Sequence, residues 1–424
     1  MAVTATDPRS AIEAVFRIEQ AKLIACLMRV VRDVGLAEEL AQDAFLAALE
    51  QWQRTGIPDR PGGWLLAAAR NRAIDRFRRA RLIDRKHAEL AGEQSVFGEA
   101  GTPDFDSALD DEIGDEILRL MFVSCHPVLG REAQVALTLR LIGGLKTDEI
   151  ARAFLVPELT IAQRIVRAKR TLAEKRIPFE VPRGEELSER LAAVLAVIYL
   201  IFNEGYSATA GIDWVRPQLC EEALRLGRIL AGLAGNEPEV HGLVSLMELQ
   251  ASRLGARRDS DGEPILLLDQ DRARWDRLFI RRGLAALNRA RSLTESLGPY
   301  ALQAAIAACH ARARTAEETD WSAIVGLYGE LGRRMPSPIV ELNRAVALSM
   351  LMGPEAGLRI VDALAREPLL KSYHFLPNVR GDLLVKLGRH AEARIEFERA
   401  ATLTQNATEQ NLLLKRAAAC TPPA

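Results

Sequence analysis

Between Leu145 and Leu172 the chain reads LKTDEIARAFLVPELTIAQRIVRAKRTL, and this stretch admits few folds. Ile150, Ala151 and Phe154 give a first short helix its apolar stripe. Ile161, Ile165 and Ala168 set the same kind of stripe at i, i+4 and i+7 in a second helix. Asp148 and Glu149 suit the positive N-terminal end of the first. Pro157 stands where the second begins, a position that tolerates a missing N–H. The segment is therefore expected to be a helix-turn-helix. Opposite the second stripe stand Thr160, Gln163, Arg164, Arg167 and Lys169. Such groups bond base edges and phosphates when a helix lies in the major groove. An ordinary helical hairpin with a solvated basic face carries the same residue types, so this segment alone leaves both readings open.

A chain of 424 residues has room for two to four domains, at roughly 150 residues each. It is rich in Ala, Leu and Arg, and only 5% of it is aromatic, which favours helices. The net charge of −1 conceals strong local blocks and says little about partners. Five cysteines are scattered, with no two at C-x-x-C spacing. That pattern fits reduced thiols, not a disulfide framework or a zinc site, and no cofactor or metal is expected. The N-terminus lacks a basic stretch followed by an apolar core, so no signal peptide is expected. The longest apolar run, Leu191 to Phe202, is too short for a bilayer and reads as a buried helix. A cytoplasmic protein with no membrane segment is the expectation.

The pattern is helical from about Ser10 to Arg85. Within it, Leu40, Ala44, Ala47 and Ala48 form one stripe, and Glu38, Glu39, Gln42 and Asp43 form an acidic, polar face. Arg60-Pro61-Gly62-Gly63 breaks the chain, and a basic helix is expected to open at Trp64. Arg70, Arg72, Arg76, Arg78 and Arg79 lie on it, with Trp64 and Phe77 interleaved. Cations with aromatics can grip phosphates and stack on unpaired bases, although a solvated surface helix would look the same. From Ala88 to Leu118 the charge reverses: Lys and Arg vanish while Asp and Glu recur. Glycines and Pro103 interrupt the early part, which reads as a flexible acidic linker.

After IPFEVPRG (177–184) the rest is helical almost throughout. One exception is a turn near Asp259 to Pro264 leading into a short extended piece, ILLLDQD. The turn faintly resembles a calcium loop, but Pro264 and Gln270 occupy positions that need glycine and glutamate. Toward the end, Gly381, Gly388, Ala393, Phe397 and Ala400 follow the small/aromatic spacing of a tetratricopeptide unit. Gly353 precedes Gly388 by close to that repeat's ~34-residue period. A concave helical-repeat surface of this kind suits a regulatory protein partner.

Three segments in order, AEELAQDAF (37–45), WLLAAARNRAIDRFRR (64–79) and the helix-turn-helix, resemble bacterial RNA polymerase sigma factors of the extracytoplasmic-function group. The first two match sigma region 2 and the third matches region 4. IYLIFNEGY (198–206), LLLDQDRARWD (266–276), GPYALQAAIAACHA (298–311) and LNRAVAL (342–348) resemble the subfamily with a long tetratricopeptide-like C-terminal extension. The implied fold is all-α. It comprises a region 2 helical bundle at 10–86, the acidic linker at 87–106, and region 4 at 107–176. A helical extension domain at 185–290 and tetratricopeptide-like repeats at 291–418 follow.

The resemblance also implies roles. Glu38, Glu39, Leu40, Gln42 and Asp43 would dock on the β′ clamp of core RNA polymerase, with region 4 on the β flap. Trp64, Arg70, Asn71, Asp75, Arg76 and Arg79 would take the −10 element of promoter DNA where the duplex opens. Thr160, Gln163, Arg164, Arg167 and Lys169 would read the −35 element. Leu155, where relatives commonly have glycine, and Ala162, where many carry a basic residue, depart from the family pattern. No catalytic residue is implied.

Two other readings compete. A helix-turn-helix regulator with a helical-repeat sensor and no sigma activity would leave the 37–79 pattern idle. An enzyme in the tail would rely on Ser124-Cys125-His126, Asn203-Glu204, Asp269-Gln270-Asp271 or His310. Consecutive side chains on a helix diverge by about 100°, so Cys125 and His126 make a poor nucleophile–base pair.

Overall fold

A computed structural model describes residues 8–91, 113–154, 156–208, 210–211, 214–260 and 262–420. The acidic segment expected as a linker therefore lies outside the described residues from 92 onward, as do Leu155 and Asp261. Among the described residues there are eighteen α-helices and one two-stranded sheet, so the fold is all-α as expected. The chain forms two compact units, Met1–Val197 and Ile198–Ala424.

The first unit opens with α1 (Pro8–Val31), α2 (Val34–Thr55) and α3 (Pro61–Ala91). Asp33 starts α2 by accepting the Leu36 N–H at 2.7 Å, and Gly56 stops it at φ 81°. Helix α3 begins at Pro61, three residues before the expected Trp64. Proline in the first helical turn forfeits no intrahelical bond, which lets the helix begin there. Residues 87–91, expected as linker, are its last turn. Next come α4 (Ile113–Ser124), α5 (Arg131–Leu141), α6 (Thr147–Phe154) and α7 (Glu158–Glu174). Helix α8 (Glu185–Tyr206) carries the chain out of this unit.

The helices on either side of the acidic segment close into one unit. Helix α1 packs on α4 and α5, and α2 packs on α7. Ile24, Leu27, Leu40, Leu65, Leu120 and Leu137 are among the fully buried side chains that join them. Each such side chain contributes about 1.5–3 kcal/mol over leaving it in water.

The second unit continues with α9 (Pro217–Leu233), α10 (Pro238–Ala251), α11 (Arg277–Leu293), α12 (Pro299–Arg312) and α13 (Trp321–Arg334). It ends with α14 (Pro338–Met352), α15 (Pro354–Leu364), α16 (Phe375–Lys386), α17 (His390–Leu403) and α18 (Ala407–Ala419). The expected division at 290–291 falls inside α11, which packs against both α10 and α12. Within the expected extended piece, 265–271, Leu267–Asp269 forms a 3-10 turn, and a second, Arg272–Arg274, follows it.

The repeat pattern seen in the sequence corresponds to the pairs α14–α15 and α16–α17. Gly353 and Gly388 make their turns at φ 96° and 72°, which a side chain would resist. Gly381 lies so close to Phe397 that an added Cβ would meet the ring at 2.7 Å. A short parallel strand pair, β1 (Ala210–Gly211) with β2 (Gln405–Asn406), ties the start of this unit to its end. Asn406 reinforces the pair by donating to the Ala208 carbonyl at 3.1 Å.

Candidate nucleic-acid interface

Helix α3 presents two faces. Leu65, Ala69 and Ala73, spaced four apart, are buried. Asn71, Asp75, Arg76, Arg78 and Arg79 are exposed on the rest of the helix, and Arg70 is half-buried. Trp64 meets Trp52 of α2 edge-on at 5.2 Å, which fixes the start of the basic helix against its neighbour.

The five residues expected to meet polymerase do not share one surface here. Leu40 is core, at 1% exposed. Glu39 and Asp43 reach the surface and pair with α3, to Arg76 at 2.6 Å and Arg72 at 3.4 Å. Gln42 donates to Glu38 at 2.8 Å. Glu38 itself is 2% exposed and points at the helix-turn-helix side of the unit. Its Oε1 accepts from Arg140 Nε at 2.7 Å, and its other oxygen pairs with Lys169. Farther along, Glu116 of α4 bonds Arg29 of α1 at 2.9 Å and accepts the Cys26 thiol at 3.0 Å. Burial, joined by Glu116, pushes that thiol above its usual range.

The helix-turn-helix forms as the sequence foretells. Ile150 and Ala151 of α6 bury against Ile161, Ile165, Ala168 and Leu172 of α7. Glu149 caps α6 by accepting the Lys146 N–H at 2.7 Å. The five residues expected at the −35 element divide into two groups. Gln163 and Arg167 are exposed and Thr160 is half-buried. Arg164 pairs with Glu132 of α5 at 2.5 Å, and Lys169 is turned inward to Glu38.

Two apolar residues on the outward face escaped the sequence reading. Leu159 is 67% exposed and Val166 is 64% exposed, on the same side as Gln163. Their signal was present, since both fall outside the buried stripe. Helix α7 thus offers an apolar and amide strip flanked by Arg167 and Arg170, which matches thymine methyls, adenine edges and phosphates. Arg140 was also missed, because its partner Glu38 stands 102 residues away.

Of the residues weighed as an enzyme, Cys125 and His126 lie in the first unit, in the turn after α4. Cys125 is buried, contacts the Thr138 hydroxyl at 3.4 Å, and has its thiol pushed up to about 11 by burial. The His126 ring accepts the Val128 N–H at 3.1 Å in the turn after α4. Among the described residues, no cluster of three or more His, Cys, Asp or Glu could hold a metal. None of their helices is long and apolar enough to cross a membrane.

Sigma-70 region 2 matches residues 15–83, and Sigma-70, region 4 matches residues 119–172. The ECF RNA polymerase sigma factor SigK of Mycobacterium bovis is 32% identical over 161 residues, spanning 36% of this chain and 79% of SigK. The chain belongs to the ECF sigma factors. "Probable ECF RNA polymerase sigma factor SigI" of Mycobacterium tuberculosis is 28% identical over 170 residues, which is 40% of this sigma factor and 57% of SigI. The likeness to both is confined to part of the chain. An uncharacterized protein of Rhizobium meliloti is 46% identical over 391 residues, spanning 91% of this sigma factor and 90% of that protein. A family of unknown function (DUF6596) matches residues 190–291 of the extension.

Proposed function

We propose that this chain is an alternative sigma factor that binds core RNA polymerase, engages −10 and −35 promoter elements and directs initiation in the cytoplasm. The observation that supports this most is the presence of two exposed DNA-type faces in one unit. One is the basic face of α3, with Asn71, Arg76 and Arg79; the other is the outer face of α7, with Gln163 and Arg167. The first suits an opened strand, where cations hold phosphates and aromatics receive flipped bases. The second suits a duplex major groove. Glu39 and Asp43 are surface carboxylates that would exchange Arg76 and Arg72 for a basic site on the polymerase clamp, which frees both arginines for DNA. The helical-repeat unit is a regulatory or assembly element that meets a protein partner.

The test is promoter-specific transcription by purified core polymerase with and without the full chain. Stimulated initiation at defined genomic start sites is expected. Tight promoter binding by the chain alone, with no stimulation of core enzyme, would favour a conventional helix-turn-helix regulator. Removing residues beyond about 206 tests the tail: activation indicates restraint, loss of transcription indicates assembly, and no change rejects both.

A further inference from the structure

The second unit carries five arginines within 253–274: Arg253, Arg257, Arg258, Arg272 and Arg274. Among the described residues, none of the five forms an ion pair with a carboxylate, whereas Arg228, Arg380 and Arg416 of the same unit do. Four of them, Arg253, Arg257, Arg272 and Arg274, donate to neutral acceptors. Arg272 bonds the carbonyls of His310 and Ala313 at 2.8 and 3.1 Å and the Thr319 hydroxyl at 2.9 Å. Arg257 bonds the Tyr206 carbonyl and lies between the rings of Tyr206 and Trp214, 3.9 and 4.1 Å from their centres. Arg257 and Arg272 are each 5% exposed.

The charges converge. Arg253 and Arg272 lie 5.4 and 5.2 Å from the centre of one indole ring, that of Trp275. Three buried polar atoms of this corner have no hydrogen-bond partner among the described residues: Arg272 Nε, Trp275 Nε1 and His310 Nδ1. Arg253 is half-buried and bonds Gln270 through Nε at 3.3 Å. Glu317 and Glu318 feel the charge of Arg272 but make no ion pair with it.

A buried cation with no ion-pair partner is costly, and a single ordered water supplies hydrogen bonds but no charge. The titration of the corner agrees. Burial, with repulsion from Arg253, holds Arg272 below its usual range. Burial, with Arg253 and Arg272, brings His310 down to about 4.

We infer that Arg253, Arg272, Trp275 and His310 form a binding site for a small ligand that presents an oxyanion, a phosphate or a carboxylate. Guanidinium and indole N–H groups donate to the oxyanion, and the neutral imidazole completes its hydrogen bonds. The site lies wholly within the helical-repeat unit and stands whether or not the chain directs transcription.

Isothermal titration of the full chain at fixed ionic strength tests this, with inorganic phosphate in one arm and succinate in the other. Saturable one-to-one binding of at least one probe is expected, and the arm that binds identifies the group. Arg272→Ala removes three hydrogen bonds that hold the fold, to His310, Ala313 and Thr319, so Arg253→Gln is the informative variant. It should keep the unliganded melting temperature and weaken binding about tenfold, while Arg366→Gln changes nothing. Neither probe binding more tightly than chloride, or Arg253→Gln binding as well as the parent, overturns the inference.

Discussion

Glu38 of α2 and Lys169 of α7 are bonded to each other, although the family resemblance implies polymerase for one and DNA for the other. Arg140 of α5 completes the triad at 2.7 Å. Removing one partner of a fully buried pair costs about 3–5 kcal/mol. Arg140 and Lys169 are 21% and 22% exposed, so solvent should reduce this to about 1–3 kcal/mol. Glu38→Gln is expected to destabilise the first unit by that amount in urea unfolding. An unchanged midpoint would show the triad to be no stronger than a surface pair.

Arg164 gives a separable prediction for DNA. Its guanidinium is held by the exposed carboxylate of Glu132 at 2.5 Å. Glu132→Gln should release it, strengthen promoter binding at low salt and steepen the log K against log salt slope by about one. Gln163→Ala, by contrast, should cost about 1–3 kcal/mol at one base pair and leave the salt slope alone. Quantitative footprinting of the holoenzyme across a salt series distinguishes the two.

Acid should weaken the second unit through His310. Its folded pKa lies near 4, below the ordinary value of 6.5. Between these values the unfolded chain binds more protons than the folded one, so stability rises with pH there. The contribution is full above pH 6.5 and is lost as pH falls toward 4, on the order of 2–3 kcal/mol in total. Melting temperatures from pH 7 to 4 should fall, and His310→Gln should flatten that dependence.

Packing offers a contrast between two glycines. A Cβ on Gly242 would come within 2.6 Å of the Ala301 backbone nitrogen, where α10 crosses α12. Gly242→Ala should therefore cost about 1–3 kcal/mol. Gly326 in α13 has open space around it, so Gly326→Ala should be neutral or stabilising. Thermal melts of both variants check the pair.

What was legible in the sequence followed local rules. The stripe of Ile161, Ile165 and Ala168 predicted α7 and its buried face, because helical periodicity acts within a few residues. The glycine spacing near Gly381 foretold a close helix contact for the same reason. The outward turn of Leu159 and Val166 could also have been read from their register. The burial of Glu38 could not, since Arg140 and Lys169 come from helices beyond the acidic segment. Likewise, Arg272 looks like a surface charge until Thr319 and the end of α12 fold over it. Side chains recruited across such separations leave no periodic trace.

The strand pair β1–β2 gives the helical array a property that open repeats lack. An open stack frays from its terminal helices, since each end repeat is held on one side only. Here the residue that caps α18, Asn406, also holds Ala208, 198 residues earlier. Neither end can peel away alone, so the unit should unfold as a single cooperative block, and a lesion at its last helix will be felt at its first.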